Sequence, residues 1–159
     1  MNDASPSSFP AREVHCAEAL AWLRGRGCVD GACAVTSLPD VSEVNLGLGA
    51  WRTWFLDAVR AVIDAVPPDR AALFFQSDIR RDGRWFDKGA LVVRAAEDAG
   101  AGVLFHKIVS RRPPGLVTTG RPGFTHLIAV SREMRCPGPL AIPDIIVDAG
   151  RQPWVRAMG

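Results

Sequence analysis

The stretch Ala32-Cys33-Ala34-Val35-Thr36-Ser37-Leu38-Pro39-Asp40 (ACAVTSLPD) decides how the chain is read. Small and β-branched residues over 33–37 predict a buried strand, and Leu38, Pro39 and Asp40 end it in a polar turn stiffened by the proline ring. A strand that stops in such a turn is how open α/β sheets hold side chains against a ligand, at the carboxyl edge.

Downstream of the loop 38–49, the run AWRTWFLDAVRAVIDAVPP repeats Trp51, Trp54, Phe55, Ala58, Val59, Val62 and Ile63 at helical spacing until Pro67 and Pro68 stop it. This predicts an amphipathic helix whose aromatic cluster packs on a sheet. A strand follows over 71–76 (AALFFQ), then a polar loop with Asp78, Arg80, Arg81 and Asp82. A helix runs from about Trp85 to Ala99 and is closed by Gly100; a strand occupies 102–109 (GVLFHKIV). The Pro/Gly-rich loop SRRPPGLVTTGRPG leads to a further strand at 124–131 (FTHLIAVS), and with no helix between them these two strands form an antiparallel pair. Upstream, residues 13–16 read as a short strand and 17–24 as a helix that ends at Gly25 and Gly27. The alternation implies an α/β fold with right-handed crossovers: a mostly parallel sheet, covered on both faces, with an antiparallel pair at its C-terminal end.

A chain of 159 residues, 48% hydrophobic and 23% charged, is long enough for one core. The net charge of +2 points to neither nucleic acid nor membrane. Its distribution is uneven, because from His106 to Arg135 the bases Lys107, Arg111, Arg112, Arg121, Arg132 and Arg135 meet one acid, Glu133. A local basic face is expected. No apolar run is long enough to span a membrane, and residues 1–10 lack the pattern of a secretory signal, so the reading is a cytoplasmic chain with a disordered leader over 1–11 and one domain over 12–159. Cys16, Cys28, Cys33 and Cys136 have no zinc-ligand spacing and read as buried or incidental thiols.

VHCAEALAWL, CAVTSLPD, a Trp-containing helix, LFFQSD, FDKGALVVRAAEDAG, VLFHKIVSR and GFTHLIAVSR resemble, in this order, the middle motifs of the S-adenosylmethionine-dependent amino methyltransferases that modify exocyclic amines of nucleobases. The resemblance covers about residues 12–131. It implies a Rossmann-like methyltransferase sheet, S-adenosylmethionine as cofactor and a nucleic acid as partner. TSLPD stands where that family has Ser, Asn or Asp, then Pro-Pro, then an aromatic. The resemblance thereby assigns Ser37, Pro39 and Asp40, with the Leu38 carbonyl, to the catalytic turn that receives the target amine. Such an amine is a poor nucleophile, its lone pair being delocalised into the ring, so acceptors must polarise it. Leu38 departs from the first proline, and Asp40 from the aromatic that stacks on the base; a carboxylate cannot stack in that way.

Glu18 falls near the family's acidic, cofactor-facing position; the plainer alternative is a helix-start carboxylate favoured by the helix dipole. Asp78 ends the LFFQSD strand at the edge where ligands bind, or caps a turn. His106 and Lys107 are adjacent on a strand and face opposite sides. His106 reads as a satisfied strand histidine or as a catalytic one, whereas Lys107, with Arg111, Arg112 and Arg121, is a substrate-binding candidate that could meet phosphates; a solvated loop is the plainer alternative for the arginines.

The family binds the methionine part of its cofactor through a glycine-rich turn of the kind DPFxGxG, because glycine lets backbone amides approach closely. No such stretch occurs in this sequence, and LGLGAW at 46–51 follows no strand. Circularly permuted members carry that turn after the target motifs. The resemblance therefore implies a truncated or split enzyme with an incomplete cofactor site, completed by a missing C-terminal half or a second chain. It also leaves the CAVTS strand as an exposed apolar edge. Two functions follow: methyl transfer to an amine in a nucleic acid, or a non-catalytic binding or subunit module. Hydrolysis at Ser37 is disfavoured, since the Gly-x-Ser-x-Gly elbow is absent.

Overall fold

The computed structural model describes residues 12–113, 115–136, 138 and 141–147. The leader assigned to 1–11 and the tail from 148 lie outside the described residues. The elements are α1 (Ala19–Arg26), β1 (Ala34–Thr36), α2 (Leu48–Asp64), β2 (Ala72–Gln76), β3 (Ile79–Arg81), β4 (Arg84–Phe86), α3 (Lys88–Asp98), β5 (Gly102–Ser110), β6 (Phe124–Ser131) and β7 (Ile145–Ile146).

One sheet has the order β1-β2-β6-β5-β7. β1 is parallel to β2 and β7 to β5, while β6 runs antiparallel to both its neighbours, so β6 alone opposes the common strand direction. The mostly parallel sheet and the antiparallel β5–β6 pair agree with the sequence. The stripe Trp51, Phe55, Ala58, Val59, Val62 and Ile63 on α2 is buried against Leu91, Val92, Ala95 and Ala96 of α3 and against Ala72 and Phe74 of β2. Leu20 of α1 joins the same cluster. Trp54 is only half-buried at its edge.

Several expectations are corrected. All three helices contribute to one core, and Leu73, Phe75 and Leu127, which alternate onto the other sheet face, remain half-buried, so that face is not helix-covered among the described residues. Residues 13–16 join no sheet and Val14 is exposed, for want of a neighbouring strand to supply the ladder. β1 is not buried: it pairs only with β2, and Val35 is 76% exposed. All four cysteines are exposed.

The polar loop after β2 is instead a hairpin. Asp82 and Gly83 both have positive φ, 51° and 71°, which is the twist-compatible two-residue turn signalled by Asp-Gly. The hairpin draws Trp85 into β4, so α3 begins only at Lys88, where Asp87 caps Ala90 N–H. α1 likewise starts two residues late, because Glu18 takes the N-cap and accepts from Leu20 and Ala21 N–H.

The edge position of β1 has a testable consequence. Val35→Thr should leave the unfolding free energy from urea titration within about 0.5 kcal/mol of wild type, since the side chain buries little, while reducing concentration-dependent self-association in sedimentation runs. A loss of stability of core size would contradict the exposed edge.

Candidate active site

Residues 37–40, expected as a turn, leave the carboxyl end of β1 as an irregular segment that enters a turn over 41–45, and Asp78 follows the carboxyl end of the adjacent parallel β2. Arg111 follows β5, and the first residues of β6 lie at the same edge because β6 is reversed, with His126 opposite Gln76. The topology thus gathers Ser37, Asp40, Asp78, Arg111 and His126 along one rim. A cleft of about 700 Å³ opens there, lined by Asp40, Val44, Asp78, Arg80, Arg81 and Arg121 among others.

The segment 37–40 is braced from both helices. Trp51 Nε1 of α2 donates to the Pro39 carbonyl at 3.2 Å. Lys88 Nζ of α3 donates to the Leu38 carbonyl at 2.9 Å and to Asp40 Oδ1 at 2.8 Å. Asp40 N–H in turn donates to Glu43 Oε2. Lys88 is 2% exposed, and its ammonium lies 5.3 Å from the centre of the Phe55 ring. Ser37 is exposed at the surface.

Behind the turn, a second polar cluster fixes the start of α3. Asp78 is buried and accepts from Lys88 N–H at 2.8 Å, Trp85 Nε1 at 2.9 Å and His126 Nε2 at 3.1 Å. His126 Nδ1 and His106 Nε2 are 2.8 Å apart. Burial alone would raise the Asp78 carboxyl; the hydrogen bonds from His126, Lys88 N–H and Trp85 outweigh it and hold the group below the usual carboxylate range. The hydrogen bond to Asp78 raises His126 against its burial. Although His106 as a whole is exposed, partial desolvation of its ring, then repulsion from His126, lowers it. His126 is therefore the first ring to charge, donating to Asp78 on one side and to His106 on the other. Gly89 is required by this packing: a Cβ there would stand 2.9 Å from the His126 ring. Asp78, Asp87 and His126 also bring ligand atoms within 4.8 Å of one another, as a direct consequence of these hydrogen bonds and the Asp87 cap.

The sequence-derived candidates separate on this frame. Ser37, Pro39 and Asp40 share the segment after β1, with Asp40 on the cleft wall. Arg121 lines the cleft; Arg111, an exposed residue, is lowered by partial desolvation of its guanidinium and then by repulsion from Arg121, with Asp40 acting in the opposite sense. Arg112 is exposed beside Arg111. Glu18 sits at the start of α1, its carboxyl lowered by the N–H groups of Ala21 and Leu20. Lys107, expected to meet substrate, is buried instead, donating to the Ile142 carbonyl at 3.1 Å and to Asp144 Oδ1 at 2.6 Å. Its ammonium thereby ties down the segment that enters β7. His106 is exposed and engaged by His126.

Lys88, His126, Trp85 and Phe124 were not singled out by the sequence. Trp85 and Phe124 lie near parallel, with ring centres 6.1 Å apart and Arg80 4.6 Å over Trp85. One signal for Lys88 was available: a lysine in a first helical turn opposes the helix dipole, so its presence there asks for a partner.

No protein-family model matches the chain, and no curated protein matches it. Solved structures do. The cytosine-N4-specific PvuII DNA methyltransferase superposes with a TM-score of 0.63 at 13% identity, over 86% of this chain and 56% of that one. TTHA0409 of Thermus thermophilus, a candidate DNA modification methylase solved with S-adenosyl-L-methionine, gives 0.58 at 17% identity, over 82% and 64%. The complex of M1.HpyAVI with SAM gives 0.51 at 14% identity, over 85% and 63%. At these identities the likeness is one of fold, a Rossmann-like methyltransferase fold, and the chain spans between about half and two thirds of those structures' length.

The two histidines predict opposite pH limbs. His126, raised in the folded state, contributes stability that is complete below the ordinary imidazole value and is lost as pH rises through its folded value. His106, lowered, contributes stability that is present above the ordinary value and is lost as pH falls through its folded value. In urea midpoints measured against pH, His126→Gln should flatten the alkaline limb and His106→Gln the acid limb. Unchanged limbs in both variants would contradict the assignment.

Proposed function

We propose that this chain is the target-amine side of an S-adenosylmethionine-dependent amino methyltransferase acting on a nucleic acid. The observation that carries the reading is the position of the segment 37–40: it follows a parallel strand at the carboxyl edge and puts Asp40 on the wall of a cleft that also bears Arg80, Arg81 and Arg121. The fold likeness to DNA methyltransferases, two of them solved with the cofactor, supports it.

S-adenosylmethionine, when bound, supplies an electrophilic methyl group on a sulfonium sulfur. The residues here fit the amine-receiving half of such a site. Asp40 and Ser37 offer oxygen acceptors to an amine N–H, and the rigid turn fixes the approach direction without reorganisation. The arginines fit phosphate oxygens, which position a strand without reading its sequence. They do not fit the cofactor-holding half, since the sequence has no DPFxGxG-like turn. In this reading that half comes from residues outside this sequence, on the same polypeptide or a second one, and adds strands beside the open edge of β1.

The second reading, a non-catalytic binding or subunit module, is favoured by one specific feature: the Leu38 carbonyl and Asp40 Oδ1 are already engaged by Lys88.

Equilibrium binding to a single-stranded DNA oligonucleotide tests the shared part. The chain should bind with a steep salt dependence, and Arg121→Ala should weaken binding and reduce the log–log salt slope by about 0.7. S-adenosylmethionine titrated into the chain alone should give no micromolar binding. DNA binding that ignores salt and Arg121, or tight cofactor binding by this chain alone, would contradict the proposal.

A further inference from the structure

We propose that the Leu38 carbonyl, Asp40 and the Phe55 ring form an amine-binding seat, and that Lys88 fills it as the chain's own ligand, closing it to an outside amine. The inference rests on the turn being the amine-receiving element, and it adds what now occupies that element.

Three features define the seat. A carbonyl and a carboxylate oxygen converge on one nitrogen at 2.9 and 2.8 Å. An aromatic ring sits 5.3 Å from the same nitrogen, a distance at which its electron-rich face attracts a cation. The Lys88 side chain is 2% exposed, so these partners replace water around its ammonium. Carboxylate, carbonyl and aromatic face are the groups that recognise a primary ammonium, and the seat adjoins the cleft through Asp40.

Helix chemistry alone does not account for Lys88. A cation in the first turn of α3 meets the positive end of the helix dipole, and the turn already has its cap in Asp87 and a second acceptor in Asp78. Lys88 and Lys107 are the only two lysines among 19 basic residues. Both are buried and both donate to a carbonyl and an aspartate. Asp144 is 91% exposed and belongs to a strand-edge segment, so Lys107 acts as a surface tether. Asp40 is mostly covered, belongs to the turn after β1 and lines the cleft, so Lys88 stands where an incoming amine would stand.

Amine rescue tests this without cofactor or DNA, so it fails independently of the methyltransferase reading. Lys88→Ala in the full chain should lower the melting temperature, and n-butylammonium should restore at least half of that loss. n-Butanol should restore none of it, and the wild type should not respond to the amine. Equal rescue by amine and alcohol, no rescue, or an equal rise in the wild type would overturn the proposal. Should Lys88→Ala not fold, reductive methylation of the wild-type chain, read by peptide mass, decides. Lys88 should remain unmodified under conditions that fully methylate free n-butylamine. Methylation of Lys88 at the rate of free n-butylamine would overturn the closed seat.

Discussion

One buried ammonium joins the two halves of the rim. Lys88 Nζ binds the turn after β1, and Lys88 N–H binds Asp78 after β2, so a single residue spans the carboxyl ends of two adjacent parallel strands. A charge at this depth is tolerable only when its partners are complete; removing one partner leaves the other unpaired in a medium of low dielectric. The segment 37–40, the first turn of α3 and the Asp78–His126–His106 chain consequently stand or shift together. From exposed His106 to Asp40 on the cleft wall, the polar contacts are continuous.

The apolar core makes this network possible by placing α2 and α3 on the same sheet face. Trp51 and Phe55 serve both purposes: they fill the core, while the Trp51 indole N–H holds Pro39 and the Phe55 face meets Lys88. A helix stripe that looked purely structural by its spacing therefore also shapes the rim. Asp40, where the resembled family has a stacking aromatic, is best understood with Lys88, since the two form an ion pair of 2.8 Å.

Much of the fold was legible because it follows from local rules. The stripe on α2, the alternation in β2 and the helix-free link between β5 and β6 each specify one arrangement, and those elements appear within a few residues of expectation. The errors share a cause: they depended on neighbours. Residues 13–16 look strand-like, but a strand exists only when something pairs with it. Asp82-Gly83 carried a hairpin signal that the surrounding charges obscured, and overlooking it moved the start of α3 and hid the role of Lys88 as a first-turn residue. In the site, the end of the strand before Ser37 was legible from its own residues, but the turn itself comes later, over 41–45. Lys88 was not legible, because its partners lie 48 and 50 positions away in sequence. His126 was hidden for the same reason, with Asp78 48 positions away.

The most direct test of this account is a double-mutant cycle between Lys88→Met and Asp40→Asn, read by chemical denaturation at neutral pH. The account predicts strong coupling, about 1.5–3 kcal/mol, because either single change strands a desolvated partner and the double change does not. Additivity within about 0.5 kcal/mol would mean that the two side chains do not share a buried bond. The turn after β1 would then be held by something other than Lys88.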